Sequence, residues 1–434
     1  MSQDLGRQAD NQVVILDLGG AHIQHVARSV RQHKVYCRVM SGDAPVQEIR
    51  RAVDTHGQKN PGAIIILRTG SSNAPQGAAP DSEVFKMGCP VLEIPESEWD
   101  GSKSQMLGDF LFDVARLKPD WTPQTFTKQT VRDLRERVGG HSVISGVSGG
   151  VDSTVATVLV HRAVGPSLHC ILVDNGLLRK NEANSVMTAL SHLGIRVNLV
   201  NAEDRFLSRL KGVQDPEEKR KIIGQEFIKV FEEEARKFGD AKFFVQGTIY
   251  PDVIESGSKF RPVVKSHHNV GGLPERMNLD LLEPLKELFK DEVRAVGREL
   301  GISLELLERH PFPGPGLGVR VLGEVTRDKL DILREAQAIL DEEIRAAGIY
   351  GTMWQCFCII PGVRTVGVKD GKRTYGHLIA IRAVESEDAM TATWARIPYD
   401  VLGKVSARIV GEVPEVNRVV LDITSKPPST IEWE

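Results

Sequence analysis

The sequence has few cysteines, with five in a chain of 434 residues. They are far apart and mostly inside apolar runs, at positions 37, 89, 170, 356 and 358. This distribution excludes a disulfide-rich secreted scaffold and favours buried thiols in a reducing compartment, so we expect a cytoplasmic protein. Cys356 and Cys358 are close together, but no second pair follows them nearby, which argues against a zinc site.

The sequence also lacks a strong charge imbalance and any long apolar run. Its formal net charge is −3 at pH 7, which predicts no broad attraction to nucleic acid or to a membrane surface. No run approaches the roughly 20 apolar residues that span a bilayer. The first five residues do not resemble a secretory signal. These absences leave a globular protein with room for two or three domains.

What the sequence does contain is a repeated alternation of strand and helix patterns. It occurs in residues 12–97 and again in residues 123–312, and it predicts an α/β fold with doubly wound parallel sheets. Residues 98–122 are polar and predict a linker with one apolar piece. Residues 313–434 combine long helix patterns with strand candidates, which predicts a C-terminal α+β domain.

One stretch between a buried strand pattern and a helix pattern is rich in glycine and hydroxyl groups. It consists of Ser148, Gly149, Gly150, Val151, Asp152, Ser153 and Thr154. Adjacent glycines let backbone N–H groups approach an anion, and the start of the helix adds partial positive charge. Ser148, Ser153 and Thr154 can donate to phosphate oxygens, and Asp152 can help to hold Mg²⁺. An ordinary glycine turn is the alternative, but seven specified residues favour a nucleotide-phosphate site.

The stretch lacks the lysine of a Walker P-loop, since Val151-Asp152-Ser153 stands where that motif has Gly-Lys-Ser/Thr. Backbone donors, hydroxyls and Mg²⁺ suit the release of pyrophosphate from ATP. The expected reaction is therefore adenylation, in which a substrate oxygen attacks the α-phosphate.

Two later segments are unusual. His310–Gly318 has three prolines and three glycines in nine residues, which excludes regular structure and leaves either a connector or a stiff lid with glycine hinges. The tail Ser425–Glu434 has Lys, paired Pro and Trp near its end, and it predicts docking against its own domain, a dimer partner or a ligand pocket.

The Ser148–Thr154 loop resembles the signature of the N-type ATP pyrophosphatases, and longer motifs resemble the GMP synthase family. These motifs are Pro216–Gly224, Gln246–Gly257, Lys265–Glu275, His310–Gly323 and Ser425–Glu434. The resemblance covers about residues 120–434. It implies that ATP adenylates the carbonyl oxygen at carbon 2 of XMP and that ammonia then displaces AMP to give GMP.

The same resemblance implies roles for individual residues. The Ser148–Thr154 loop would bind ATP, with Asp152 and Ser153 catalytic and Asp152 as a ligand of Mg²⁺. Five residues would contact XMP, namely Arg220, Asp252, Gln355, Lys426 and Glu432. A closing lid that keeps water off the intermediate would include His310, Pro313, Gly314 and Gly316. The C-terminal domain would form a homodimer.

Residues 12–97 resemble the start of a class I glutamine amidotransferase but depart from that family. Pro95 stands where the family has its catalytic cysteine, and Cys89 lies too early to replace it. The second half of such a domain, with its histidine and glutamate, has no counterpart before the linker that starts at about Trp99. Because a thioester mechanism needs a thiolate beside a base, we expect no glutamine hydrolysis. Ammonia would come from solution or from a separate glutaminase subunit.

Three hypotheses remain distinct. The first is a GMP synthase that uses ammonia and carries a truncated amidotransferase domain. The second is an enzyme that adenylates another base or nucleotide, which the presence of all the XMP-contact residues disfavours. The third is a catalytically silent, nucleotide-binding paralogue that regulates or partners a complete synthase. The presence of Asp152, Lys426 and Glu432 disfavours it.

Overall fold

The computed structural model describes most of the chain, namely residues 12–20, 22–53, 62–68, 80–99, 104–257, 278–386 and 389–434. The motif at Lys265–Glu275 lies outside these residues. The predicted fold class is confirmed: two parallel α/β sheets are followed by a mixed sheet with helices. Across the described ranges, no helix is both long and apolar enough to cross a membrane.

The first sheet has four parallel strands in the order β2-β1-β3-β4. The strands are β1 (Gln12–Asp17), β2 (Tyr36–Ser41), β3 (Ala63–Arg68) and β4 (Val91–Pro95). Helix α1 (Ile23–Gln32) packs against one face of the sheet and α2 (Val46–Val53) against the other. Alternate residues of the central strands β1 and β3 are therefore buried on opposite faces, as expected for a parallel sheet with helices on both sides.

The apolar piece in the predicted linker packs onto this first sheet. It forms α3 (Ser104–Asp109) and a π-helical turn at Phe110–Val114. Leu107, Phe110 and Leu111 are buried in the same core cluster as α1. We refer to the described residues between positions 12 and 117 together as the N-terminal layer.

The second sheet has five parallel strands in the order β7-β6-β5-β8-β9. They are β5 (Ser142–Gly146), β6 (Leu168–Asp174), β7 (Val197–Asn201), β8 (Ala241–Val245) and β9 (Asp280–Leu282). The chain runs outward from β5 to β7 and then returns to place β8 on the other side of β5. This reversal creates a crevice at the carboxyl ends of β5 and β8, where ligands bind in open α/β sheets.

Helices cover both faces of this second sheet. They are α4 (Pro123–Val138), α5 (Val151–Val164), α6 (Glu182–His192), α7 (Glu203–Leu210), α8 (Pro216–Ala235), α9 (Tyr250–Gly257), α10 (Lys290–Glu299) and α11 (Leu304–Leu307). The pattern of apolar residues predicts a helix from Leu285 to Leu300, whereas α10 begins at Lys290. The Glu292 carboxylate accepts a hydrogen bond from the Phe289 backbone N–H at 2.8 Å, which fixes the start of the helix there.

The C-terminal part is built on one long strand. The elements are α12 (Arg327–Ala346), β10 (Gln355–Ile359), β11 (Arg364–Lys369), β12 (Lys372–Glu385), β13 (Thr393–Trp394), α13 (Tyr399–Glu412) and β14 (Val416–Asp422). The other strands all pair with β12. Asp370-Gly371, a dipeptide typical of hairpin turns, forms the turn between β11 and β12 with φ angles of 51° and 72°. The core of this part is continuous with one face of the second sheet.

Candidate active site

The Ser148–Thr154 loop connects β5 to α5 and lies at the crevice of the second sheet. Gly149 has a φ of +73°, and a Cβ there would lie 2.9 Å from Val186 Cγ2, so glycine is required for both reasons. Helix α5 begins at Val151, and its N-cap residue, Gly150, supplies no side-chain hydrogen bond. The first N–H groups of a 14-residue helix are thus left without a side-chain cap, as an anion site requires.

Two hydroxyl groups converge over this loop. Ser148 Oγ and Ser153 Oγ are 2.9 Å apart, and Ser153 Oγ also donates to the Gly150 carbonyl at 3.1 Å. Thr154, expected to be a third hydroxyl donor, is instead 1% exposed. Its backbone N–H donates to Gly150 O within the helix. The geometry therefore favours two hydroxyl donors rather than three.

Lys290, which the sequence analysis did not single out, pairs with Asp152 beside the loop. Its Nζ lies 2.8 Å from Asp152 Oδ1 and 2.6 Å from Oδ2. Both side chains are about one third exposed, at 32% for Lys290 and 28% for Asp152. Lys290 is the first residue of α10, and 138 positions separate it from Asp152. Tertiary structure alone brings this cation to the loop.

Gly247, after β8, allows the close packing that completes this site. A Cβ at Gly247 would lie 3.1 Å from the Asp152 carbonyl carbon and from the Ser153 backbone nitrogen. The backbone that follows β8 therefore lies directly against the start of α5, which narrows the crevice around Asp152.

Mg²⁺ bound together with ATP phosphates needs only one or two protein carboxylates. In the described part of the chain, no group of three or more His, Cys, Asp or Glu side chains could hold a metal ion alone. Asp152 is partly exposed at the helix N-terminus, so its carboxylate fits as a single ligand for a phosphate-bound ion.

Two of the residues expected to contact XMP lie on helices of the second sheet. Arg220, on α8, is partly exposed and pairs with Glu217 one turn earlier. Asp252 lies in the first turn of α9 and accepts a hydrogen bond from the Ile249 N–H at 3.0 Å. Helix α9 also contacts the N-terminal layer, through Tyr250 and Ile254.

The other three lie in the C-terminal part. Gln355 is buried, and its Nε2 donates to the Pro311 carbonyl at 2.8 Å. Lys426 Nζ donates to the Ala389 carbonyl at 2.7 Å. Glu432 forms a bidentate ion pair with the buried Arg320, at 3.1 and 2.8 Å. Arg320 also stacks on Phe357, two residues beyond Gln355, so it connects the strand of Gln355 to Glu432.

The tail Ser425–Glu434 docks against its own chain. The fully buried Lys219 donates to Glu434 Oε2 at 2.5 Å and to the Val321 carbonyl at 2.7 Å. Because Lys219 directly precedes Arg220, this contact brings the tail to the helix that carries Arg220. In the middle of the tail, Ser429 Oγ accepts a hydrogen bond from the buried Arg382 at 3.0 Å.

The His310–Gly318 segment is held at both ends. His310 stacks on Tyr350 with ring centroids 3.9 Å apart, and its Nε2 lies 2.9 Å from the Tyr350 carbonyl oxygen. At the other end, Leu317 N–H donates to Leu177 O at 2.8 Å, and Gly316 has a φ of +61°. These contacts favour a connector and leave only the turn at Pro313 and Gly314 free to act as a lid.

The burial of His310 predicts a pH-dependent stability. Burial, with nearby arginines, lowers the pKa of its imidazole to about 4, whereas the unfolded chain has a pKa of about 6.5. Between these values the unfolded state takes up a proton and the folded state does not. The free energy of unfolding should therefore fall with decreasing pH, by about 2 kcal/mol between about pH 7.5 and about pH 5. Urea titrations of wild type and His310→Gln would measure this loss, which should be smaller in the variant. An equal loss in both proteins would contradict the assignment.

Pro95 and Cys89 lie at opposite ends of strand β4 in the N-terminal layer. Pro95 ends β4 at the carboxyl edge of the first sheet, where it pairs in register with Arg68. Cys89 precedes β4 at the opposite edge, and burial raises the pKa of its thiol. At the carboxyl edge, Glu96 Oε1 accepts from the His22 N–H at 3.2 Å.

Two protein families match parts of this chain. The family described as "GMP synthase C terminal domain" matches residues 342–433. The family described as "NAD synthase" matches residues 125–229. Among solved structures, NMN synthetase from Francisella tularensis covers 49% of this chain and 85% of its own, with a TM-score of 0.37 at 16% identity. The NH3-dependent NAD synthetase from Campylobacter jejuni covers 52% and 83%, with a TM-score of 0.33 at 13% identity.

Curated relatives match over nearly the whole chain. The "GMP synthase [glutamine-hydrolyzing]" of Clostridium novyi is 45% identical, and the alignment covers 97% of this chain and 99% of the relative. That of Carboxydothermus hydrogenoformans is 43% identical, with 98% and 100% covered. The first alignment has 515 positions, 81 more than the 434 residues of this chain, so at least 81 positions have no counterpart here. Identity at this level over almost the full length of both proteins shows that the chain belongs to the GMP synthase family.

Proposed function

We propose that this chain catalyses the ATP-dependent amination of XMP to GMP through an adenyl-XMP intermediate, in guanine nucleotide biosynthesis. The observation that carries the proposal is the Ser148–Thr154 loop at the uncapped N-terminus of α5, with the Asp152–Lys290 pair beside it. Family membership supplies the substrate, since the curated relatives are named GMP synthases.

In the proposed first step, the carbonyl oxygen at carbon 2 of XMP forms a bond to the α-phosphorus of ATP. The bond to pyrophosphate breaks, and the electron pair leaves with pyrophosphate. The ring nitrogen beside carbon 2 releases its proton and forms a double bond to that carbon. The N–H groups of the loop, the hydroxyls of Ser148 and Ser153, and the Lys290 ammonium stabilise the charge that develops on the leaving group. Mg²⁺ bound with the phosphates and Asp152 would neutralise further charge.

In the second step, ammonia forms a bond to carbon 2, the bond from that carbon to oxygen breaks, and AMP leaves. The nitrogen releases one proton and becomes the 2-amino group of GMP. Water competes with ammonia for the intermediate. A turn at Pro313 and Gly314 that closes over the intermediate would therefore limit its hydrolysis.

The proposed XMP site uses Arg220, Asp252, Gln355, Lys426 and Glu432. Arg220 and Lys426 suit the phosphate of the nucleotide, and the carboxylates and the amide suit ring and ribose donors. The ion pair with the buried Arg320 supports this role for Glu432, because it fixes the carboxylate in one orientation.

The proposal also includes the domain assignment and a homodimer. The domains are an amidotransferase-like domain at 12–97, a linker at 98–122, an ATP pyrophosphatase domain at 123–312 and a C-terminal domain at 313–434.

Exposed apolar side chains support a dimer surface on the C-terminal domain. They lie on the β11–β12 hairpin and are 41% exposed for Val366, 72% for Val368 and 61% for Tyr375.

We further propose that the nitrogen donor is free ammonia or ammonia from a separate glutaminase. Pro95 at the carboxyl end of β4 is supporting evidence, since its side chain has no nucleophile. Cys89 is at the wrong edge of the sheet, and its raised thiol pKa keeps it protonated at neutral pH.

One assay tests the reaction and the nitrogen source together. Purified protein is incubated with ATP, Mg²⁺ and XMP, with either ammonium or glutamine, and AMP and GMP are measured. We expect GMP with ammonium and none with glutamine alone, and we expect Cys89→Ala to keep the ammonium-driven rate. A protein that releases no AMP under either condition is not a synthase and matches the silent paralogue. Glutamine-driven GMP formation would overturn the proposed loss of glutaminase activity.

A further inference from the structure

The N-terminal layer contacts the second sheet through a buried cation, Arg31, at the end of α1. Its side chain is 2% exposed, and Nη1 lies 3.3 and 3.4 Å from the two carboxylate oxygens of Glu292. The guanidinium lies over the rings of Tyr36 at 4.5 Å and of Trp121 at 4.6 Å. Its Nη2 also donates to the Cys37 carbonyl at 2.7 Å. Arg31 therefore has partners both in the N-terminal layer and in the part of the chain that contains the second sheet.

Other contacts around Arg31 join the same two units. The Trp121 backbone N–H donates to the Lys34 carbonyl at 2.9 Å, and Tyr36 Oη donates to Glu287 Oε1 at 3.1 Å. The Val39 N–H donates to Tyr250 Oη at 2.5 Å. Phe289 and Tyr250 are buried in the same core cluster as α1. Contacts of this number and burial make the layer part of one packed structure with α9 and α10.

Glu292 is the link between Arg31 and the ATP loop. Both of its oxygens face Arg31. Oε1 also accepts from Trp121 Nε1 at 2.5 Å, and Oε2 accepts from the Phe289 N–H and so fixes the first turn of α10. Lys290, whose Nζ contacts both oxygens of Asp152, is the first residue of that turn. Because Lys290 is the first residue of α10, its ammonium group moves with this end of the helix. The position of Lys290 therefore depends on the Glu292 carboxylate.

We propose that Arg31 is a positioning residue for the ATP site. It orients Glu292, which sets the start of α10 and hence the place of Lys290 against Asp152. The inference rests on the proposed function only in taking the Ser148–Thr154 loop as the ATP site. It gives the N-terminal layer a role that does not require glutamine hydrolysis.

The test uses Arg31→Met, which keeps much of the side-chain length but removes the charge. We expect the dissociation constant of the fluorescent analogue mant-ATP, with Mg²⁺, to rise about tenfold, an effect of the size seen for residues coupled to a site through packed structure. In the amination assay KM for ATP should rise while KM for XMP stays unchanged. If the substitution only lowered the stability of the protein, a smaller fraction of the molecules would be active. KM for ATP and KM for XMP would then both stay unchanged.

Arg68→Met is the matched control, because it removes an Arg–Glu pair in the same layer that is exposed and contacts Glu93. It should bind mant-ATP like the wild type. Arg31→Lys should restore most of the affinity, since it returns a cation to Glu292.

If Arg31→Met does not fold, Glu292→Gln tests the same link, because it weakens the pair with Arg31 while keeping the shape of the side chain. Unchanged mant-ATP affinity in a folded Arg31→Met or Glu292→Gln protein would overturn the proposal. A wild type that binds mant-ATP but forms no GMP would refute the proposed function and leave this test intact.

Discussion

Replacing Asp152 with asparagine is expected to lower the rate of AMP release from ATP and XMP by about 10³-fold. The carboxylate accepts from Lys290 Nζ at 2.8 and 2.6 Å and is the one charged side chain of the Ser148–Thr154 loop. An amide of the same shape cannot neutralise Lys290 or serve as a strong ligand for Mg²⁺. Alanine at the same position should abolish AMP release.

The rate is measured by following AMP and pyrophosphate at saturating ATP and XMP with ammonium. Asp240→Asn is a suitable control, since Asp240 accepts from Ser142 Oγ at 2.7 Å at the amino end of the same sheet, away from the crevice. It should retain the wild-type rate. Asp152→Asn with more than about one tenth of that rate would be incompatible with a central role for this carboxylate.

Replacing Arg320 with methionine is expected to lower the free energy of unfolding by about 3 kcal/mol. Arg320 is 2% exposed on its side chain and pairs with Glu432 in the docked tail. Without it, Glu432 keeps its charge at a partly buried position without its bidentate partner, and the rings of Phe312 and Phe357 lose their cation contact. If Glu432 contacts XMP, KM for XMP should rise in the same variant.

Urea unfolding at neutral pH measures this change, with Arg236→Met as the comparison. Arg236 is itself 68% exposed and pairs with Glu232 within one helix turn, so its loss should cost less than about 1 kcal/mol. Equal effects of the two substitutions would show that the Arg320–Glu432 pair does not anchor the tail.

Features that depend on neighbouring residues could be predicted from the sequence. Helix α4 begins and ends at local signals, because Thr122 caps its first turn and Gly139 adopts a φ of 55° at its end. The Ser148–Thr154 loop follows a buried strand and opens a helix for similar local reasons. The Asp370-Gly371 turn is another local feature, since both residues tolerate positive φ.

Features that depend on distant residues could not be predicted. Lys290 reaches Asp152 only because α10 packs beside α5, and nothing in the sequence near either residue signals the pair. The contact of Arg31 with Glu292 joins positions 261 apart. Strand β2 (Tyr36–Ser41) was also not anticipated, because only its first two residues are fully buried. The burial of Thr154, whose hydroxyl the sequence predicts as a phosphate donor, depends in the same way on distant packing.

The strand order of the first sheet places the Arg31 contact and the end of β4 on opposite sides of the N-terminal layer. Strand β2, which carries Tyr36 and Cys37 of the Arg31 contact, forms one edge of the sheet, and β4, which ends at Pro95, forms the other. Changes in the chain after Pro95 therefore fall at the edge opposite to that contact. The order β2-β1-β3-β4 thus allows the residues after β4 to vary without disturbing the strand that packs against Arg31.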